Sequence, residues 1–144
     1  MTKLIECLKT VLADTYVVYL KTQDYHWNVT GPNFYSYHKM FEEQYRELAE
    51  AVDEIAERIR AVGERAPSGF KVYDEYTKVN EVTVTTDSVS MVKDLHSSHL
   101  TVIQSLQKLK EEAVTQGDSV TEDLAIGRLT IHQKVAWMLS ATAG

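Results

Sequence analysis

Apolar residues recur along this chain at alternating steps of three and four, the spacing that puts them on one face of an α-helix. Leu4, Leu8, Val11, Leu12, Val18 and Tyr19 begin the pattern, and nothing breaks it before Thr30-Gly31-Pro32-Asn33, which predicts a helix over roughly 2–28. Phe34, Tyr37, Phe41, Tyr45, Leu48, Val52, Ile55, Ile59 and Val62 form a second stripe that ends at Gly63, a residue suited to a helix stop. From 64 to 87 the periodicity fails: Pro67, Ser68 and Gly69 precede a stretch over 79–86 rich in Val and Thr. A link this long is expected to cross a bundle and to carry a short helix near 72–78. A third long helix should start at Thr86 or Asp87, turn Val89, Val92, Leu95, Leu100, Ile103, Leu106 and Leu109 inward, and stop at Gln116-Gly117-Asp118-Ser119. The fourth, about 121–140, has Leu124, Ile126, Leu129, Val135, Trp137, Met138 and Leu139 as its apolar content. Short, long and short connections between four helices predict an all-α, up-down-down-up bundle with one crossover, a single domain over 1–144.

Charge and cysteine usage narrow the classes of function. The formal net charge of −6 opposes non-specific attraction to nucleic acid or anionic membrane and makes cations the expected partners. Cys7 is the only cysteine, so no intrachain disulfide can form, and its place in an amphipathic helix reads as a small buried hydrophobe. No segment approaches the roughly 20 apolar residues of a membrane span, and the N-terminal stretch lacks the uninterrupted apolar core of a signal peptide. A cytoplasmic, reducing location is the expectation.

Two groups of metal-grade side chains stand out. His26 and His38 flank the first helix turn, and Asp53 and Glu57 lie far along the second helix. At about 1.5 Å rise per residue, His38 and Asp53 are separated by roughly 22 Å along the axis, too far for one metal. If all four bind the same metal, two must come from a second copy of the chain. His38, Glu42, Asp53 and Glu57 fall within roughly 100° on a helical wheel, beside the small residues Ala49 and Ala56. Antiparallel pairing of two second helices about an axis near Tyr45 and Arg46 would therefore set His38 opposite Asp53 of the other copy, with His26 joining across the turn. Imidazole and carboxylate without thiolate suit iron, with zinc, manganese or cobalt as substitutes. Glu42, one turn after His38, could ligate directly or orient a ligand, and Asp24, Trp27 and Arg58 are its candidate supports. Each of these residues also has an ordinary reading: histidines that cap or pack, acids on a solvated face with i,i+4 pairs such as Glu54 with Arg58, and Trp27 as a packed ring rather than a radical sink.

The run His26-Trp27-Asn28-Val29-Thr30-Gly31-Pro32-Asn33-Phe34, followed by His38, Phe41 and Glu42 and by Asp53-Glu54-Ile55-Ala56-Glu57-Arg58-Ile59, resembles the Dps family, the ferritin-like miniferritins named for DNA protection during starvation. Asp118-Ser119-Val120-Thr121-Glu122-Asp123-Leu124 and Trp137-Met138-Leu139 extend the resemblance to nearly the whole chain. It implies a ferritin-like four-helix bundle assembled into a hollow homo-dodecamer. It further implies an intersubunit ferroxidase site, with His26 and His38 from one chain and Asp53 and Glu57 from another, Glu42 standing where a carboxylate is usual. The implied activity is oxidation of Fe(II) by hydrogen peroxide or O2, with ferric mineral stored in the shell. Asp118 and Asp123 match the stretch that lines acidic three-fold pores in such shells, although acids at a helix start are also favoured locally.

Two other readings remain. Family members that coat DNA often use a basic terminal tail, whereas this sequence begins Met1-Thr2-Lys3 and ends Ala141-Thr142-Ala143-Gly144, which together with the charge speaks against direct DNA binding. A structural shell without ferroxidase activity is the other. A ferritin with its site inside one subunit is excluded by the absence of Glu-x-x-His: Gln23, Tyr35, Lys93, His96 and Leu129 precede His26, His38, His96, His99 and His132 at that spacing. His96 and His99, an i,i+3 pair, could hold a surface metal but read more simply as exposed or packed helical residues, as does His132.

Overall fold

In the computed structural model, which describes residues 2–144, the chain forms α1 (Thr2–Asn28), α2 (Phe34–Ala61), α3 (Phe70–Tyr76), α4 (Ser88–Gln116) and α5 (Ser119–Ala143). α1 packs along α2 and α4, α4 along α5, and α3 against α1, while α2 and α5 meet over only a short stretch. This is the four-helix bundle expected from the sequence, with a short extra helix in its crossover. No helix among the described residues is long and apolar enough to cross a membrane.

Helix ends follow local chemistry. Gly117 adopts a left-handed φ of 70°, so that Asp118 N–H reaches Ala113 O at 2.9 Å and Gly117 N–H reaches Val114 O at 3.1 Å. That paired arrangement satisfies carbonyls the helix leaves open. Asp87 caps α4 by accepting from Ser90 N–H at 2.8 Å. Two boundaries differ from the sequence expectation. α5 begins two residues earlier than 121 because Asp118 is its cap, accepting from Thr121 N–H at 3.0 Å. α3 lies at 70–76 rather than 72–78 because Asp14 of α1 accepts from Thr77 Oγ1 and Lys78 N–H, each at 2.7 Å, which draws the backbone into an extended conformation at Thr77.

Two apolar clusters fill the bundle. The larger contains Leu8, Leu12, Ile55, Ile59, Leu106 and Leu109, and the smaller contains Tyr25, Val29, Phe41, Val92, Leu95 and Leu139. Leu100 and Val89, expected inward, are exposed, as are Ile126, Trp137 and Met138 on α5. Cys7 is half-buried rather than buried. Between the clusters lies a belt of buried polar residues to which all four long helices contribute: Lys21, Gln44, Ser98, His99, Arg128 and His132. Within it, Glu47 accepts from Arg128 across α2 and α5, Arg128 Nη2 donates to His132 Nε2 at 2.8 Å, and the Nδ1 atoms of His132 and His99 lie 2.9 Å apart.

Burial, with Arg128 nearby, holds both imidazoles neutral, pushing His99 down to about 3 from an ordinary 6.5 and His132 well below its usual range. Below the ordinary value the unfolded chain therefore binds protons that the folded chain refuses. Their contribution to stability is complete above about pH 6.5 and is lost progressively as pH falls toward about 3, with desolvated Asp14, whose carboxyl burial raises, acting in the opposite sense. Imidazole ¹H–¹⁵N spectra at about pH 5 should show His99 and His132 still neutral while the urea midpoint has dropped; a charged His99 signal in the folded protein at that pH would contradict this.

Candidate metal centre

The short connection over 29–33 sets the last turn of α1 against the first turns of α2, and His26 and His38 meet there with ring centroids 3.9 Å apart and planes 15° from parallel. Their hydrogen bonds cross: His26 Nδ1 lies 2.8 Å from His38 O, and His38 Nδ1 lies 2.7 Å from His26 O. The His26 carbonyl is in the final turn of α1, where no intrahelical donor is available. A carbonyl oxygen only accepts, so both Nδ1 atoms carry a proton, which leaves Nε2 as the nitrogen of each ring open to a metal. This is how a metal-ligating histidine is prepared, with one nitrogen held by the backbone and the other free to coordinate.

Glu42 completes the group. Its Oε1 is 4.0 Å from His26 Nε2, its Oε2 is 3.6 Å from Arg46, and one ligand atom from each of His26, His38 and Glu42 lies within 4.8 Å of the others. It is the only group of three or more possible metal ligands among the described residues. Phe34 stacks on His38, with centroids 5.0 Å apart, and Tyr45 sets its ring edgewise to His26 at 5.1 Å. The sequence reading did not assign these two supporting rings, although the i,i+4 spacing of Phe34 and His38 was a usable signal.

Asp53 and Glu57 do not join this group within one chain; they form a second, solvent-exposed pair further along α2. The Glu57 carboxyl is held above its ordinary range by its hydrogen bond to Asp53 and by that group's charge. A divalent cation would relieve this crowding. Trp27, expected to pack, is 65% exposed in the single chain, and Tyr35 is 71% exposed, so aromatic surface surrounds the histidines. Asp24 accepts from Asn28 Nδ2 at 3.1 Å and lines the side of the helix end. The His96–His99 metal pair does not form, because His99 turns into the bundle to meet His132.

A family model described as a ferritin-like domain matches residues 5–144. The DNA protection during starvation protein 2 of Bacillus anthracis is 37% identical over 139 residues, covering 96% of this chain and 95% of that protein. Dps from Staphylococcus aureus superposes with a TM-score of 0.95 at 34% identity, over 100% of this chain and 97% of that one. The chain belongs to the Dps family of ferritin-like proteins. Dps from Vibrio cholerae O1, described as a member of a broad superfamily of ferritin-like diiron-carboxylate proteins, gives a TM-score of 0.95 at 31% identity, covering 99% of this chain and 90% of that one.

For a Dps chain, the roles of Asp118 and Asp123 are of particular interest. Asp123 is exposed on α5, whereas Asp118 is engaged: it caps α5 and accepts from Arg58 Nη2 at 3.1 Å, tying α2 to the start of α5. Arg58 is thus a bundle tie and stands apart from the histidine group. Burial raises the Asp118 carboxyl, but hydrogen bonds from Thr121 and the Arg58 guanidinium outweigh it and hold the group below its ordinary value. Asp118→Ala should cost about 1–2 kcal/mol through loss of the cap and the Arg58 contact, read as a lower urea midpoint, while Asp123→Ala should leave that midpoint nearly unchanged.

Proposed function

We propose that this protein is a ferroxidase and iron-storage shell that uses hydrogen peroxide, or O2, to oxidise Fe(II) at a site shared by two chains. The observation that carries the reading is the crossed hydrogen bonding of His26 and His38, which leaves two Nε2 atoms beside Glu42 open to a metal. Fe(II) is the substrate. Three N and O ligands without thiolate suit it, and zinc could occupy the same positions as a redox-silent substitute.

In the proposed site, His26, His38 and Glu42 of one chain face Asp53 and Glu57 of a two-fold related copy. The support is geometric and chemical: the two groups lie roughly 22 Å apart on one helix, each is incomplete alone, and Asp53 and Glu57 are exposed and crowd each other's charge. Exposed Trp27 and Tyr35 beside the histidines supply apolar surface for a partner to cover. The carboxylates would favour the more highly charged Fe(III), which pulls the electron transfer forward. Peroxide takes two electrons, one from each of two Fe(II) ions, so its O–O bond breaks to hydroxide-level oxygen without releasing hydroxyl radical. Hydrolysis of the two Fe(III) ions to oxyhydroxide releases protons that the exposed acids can pass to solvent. A closed assembly of twelve copies would hold the mineral, and removal of Fe(II) and peroxide would protect DNA without contacting it, as the −6 charge per chain favours.

Stoichiometric peroxide added to anaerobic, Fe(II)-loaded protein should consume two Fe(II) per peroxide. His26→Ala/His38→Ala should slow this at least tenfold with assembly unchanged; equal rates would sink the ferroxidase assignment and leave a structural shell. The shared site has its own test. Chains carrying His26→Ala/His38→Ala, co-assembled at random with chains carrying Asp53→Ala/Glu57→Ala, should regain about one quarter of the wild-type sites, since each mixed pair rebuilds one intact site of two. No recovery in fully assembled mixed shells would overturn the shared site.

A further inference from the structure

Four tyrosine rings lead away from the histidine cluster in an unbroken line that crosses three helices. Tyr45 on α2 stands edgewise to His26 with centroids 5.1 Å apart, and Tyr19 on α1 lies 6.0 Å from Tyr45. Tyr16 lies 5.7 Å from Tyr19, and Tyr73 on α3 stacks on Tyr16 at 4.9 Å with planes 26° apart. Each separation is that of rings in contact, and packing alone explains any one pair, for which a phenylalanine would serve as well. A phenol differs from a phenyl ring in one property that matters beside iron and peroxide: it can give up one electron together with its proton. On the other face of the cluster the ring stacked on His38 is Phe34, which has no such proton to lose, so this line of oxidisable rings starts at His26.

The surrounding charge runs from positive to negative along the line. The Arg46 guanidinium lies 5.6 Å from the centre of the Tyr45 ring and opposes removal of an electron there. Iron bound at Glu42, the other partner of Arg46, adds to this positive end. At the far end Tyr16 and Tyr73 line a cavity of about 260 Å3 together with Asp24, Asp74 and Glu81, whose negative charges favour an electron-poor ring. Lys21 also lines it, but its ammonium is engaged by Asp94 at 2.9 Å, Asn80 O at 2.7 Å and Ser98 Oγ at 3.0 Å. A radical formed at Tyr45 is therefore drawn toward the stacked pair and away from the metal.

We propose, resting on the ferroxidase reading, that Tyr45, Tyr19, Tyr16 and Tyr73 form an electron relay that completes peroxide reduction when only one Fe(II) has reached the site. Peroxide needs two electrons to break its O–O bond. The single Fe(II) gives one and becomes Fe(III), and Tyr45 gives the second with its phenolic proton. Fe(II), hydrogen peroxide, one tyrosine and one further proton thus yield Fe(III), two waters and a tyrosyl radical. Each hop then passes one electron and one proton back to the ring just oxidised, until the radical rests on the Tyr16–Tyr73 pair. A later Fe(II) at the site returns an electron along the same line, and a proton from solvent restores the tyrosine. A half-loaded site thereby reduces peroxide to water in place of releasing hydroxyl radical.

Anaerobic protein loaded with one Fe(II) per site, given stoichiometric peroxide and frozen within milliseconds, should show a tyrosyl radical by electron paramagnetic resonance. Incorporation of ring-deuterated tyrosine should collapse its hyperfine splitting. Because the radical rests away from Fe(III), it should saturate at low microwave power. Loading two Fe(II) per site should lower the signal several-fold, since iron then supplies both electrons. Tyr19→Phe, with assembly and helix content matching wild type, should lower the slowly relaxing signal several-fold and leave a fast-relaxing radical beside the metal. Tyr16→Phe interrupts the line at the next ring and should do the same if Tyr19→Phe does not fold. Peroxide-driven oxidation at two Fe(II) per site with no tyrosyl radical at one, an undiminished slowly relaxing signal in these variants, or a tryptophan radical on Trp27 in its place would each overturn the relay and leave the ferroxidase reading standing. Absence of peroxide-driven oxidation by wild type at two Fe(II) per site would overturn both.

Discussion

Two hydrogen bonds that cross between α1 and α2 hold the first helical pair in register and prepare its chemistry at the same time. Each histidine donates from Nδ1 to the other's backbone carbonyl, and the acceptor on His26 lies at a helix end where it would otherwise lack a partner. The interaction has a structural cause, the need to satisfy that carbonyl, and a chemical result, two Nε2 atoms open to a metal on one side. The connection over 29–33 is what makes the crossing possible. Phe34 and Tyr45 then confine the rings.

The crossover is secured by a related economy of polar groups. Its backbone lacks a helix partner over much of 77–87, and α1 supplies the replacements: Asp14 accepts at Thr77 and Lys78, Lys21 donates to Asn80 O at 2.7 Å, and Tyr25 Oη accepts from Val84 N–H at 2.9 Å. Lys21 is itself paired with Asp94 of α4 at 2.9 Å. Polar residues on the inward face of α1 thus tie a long loop to the bundle, and they are buried because the loop covers them. The exposed aromatic and aliphatic residues tell the opposite story. Trp27 and Tyr35, which neighbour the histidines in the chain, and Trp137 and Met138 on α5 find no cover within one chain, and exposed apolar groups of this size are the kind of surface that partners cover.

The helices were legible because their stripes are long and their stops are chemical. α1 and α2 lie where Leu4 to Tyr19 and Phe34 to Val62 place them, and Gly63 and Asp87 mark ends that local hydrogen bonding accounts for. α3 was displaced by two residues because its end depends on Asp14, which is 63 positions away from Thr77 in the chain. The grouping of the candidate ligands His26, His38 and Glu42 could likewise be read from spacing across a short turn. Leu100 and Ile126 look the same as core residues in a one-dimensional pattern, and whether such a residue is covered depends on which helix lies beside it.

The sequence by itself determined the all-helical class, the crossover, the likeness to Dps proteins, and the separation of His38 from Asp53, because helical rise and periodicity are local properties of the backbone. Only the tertiary structure decided which imidazole nitrogen is free, that Asp118 is committed to Arg58 and Thr121, and that His99 turns away from His96 toward His132. Those outcomes rest on directional hydrogen bonds between residues distant in the chain. A donor's choice of acceptor is settled by which groups packing brings within about 3 Å, and no pattern of neighbours along the chain encodes that.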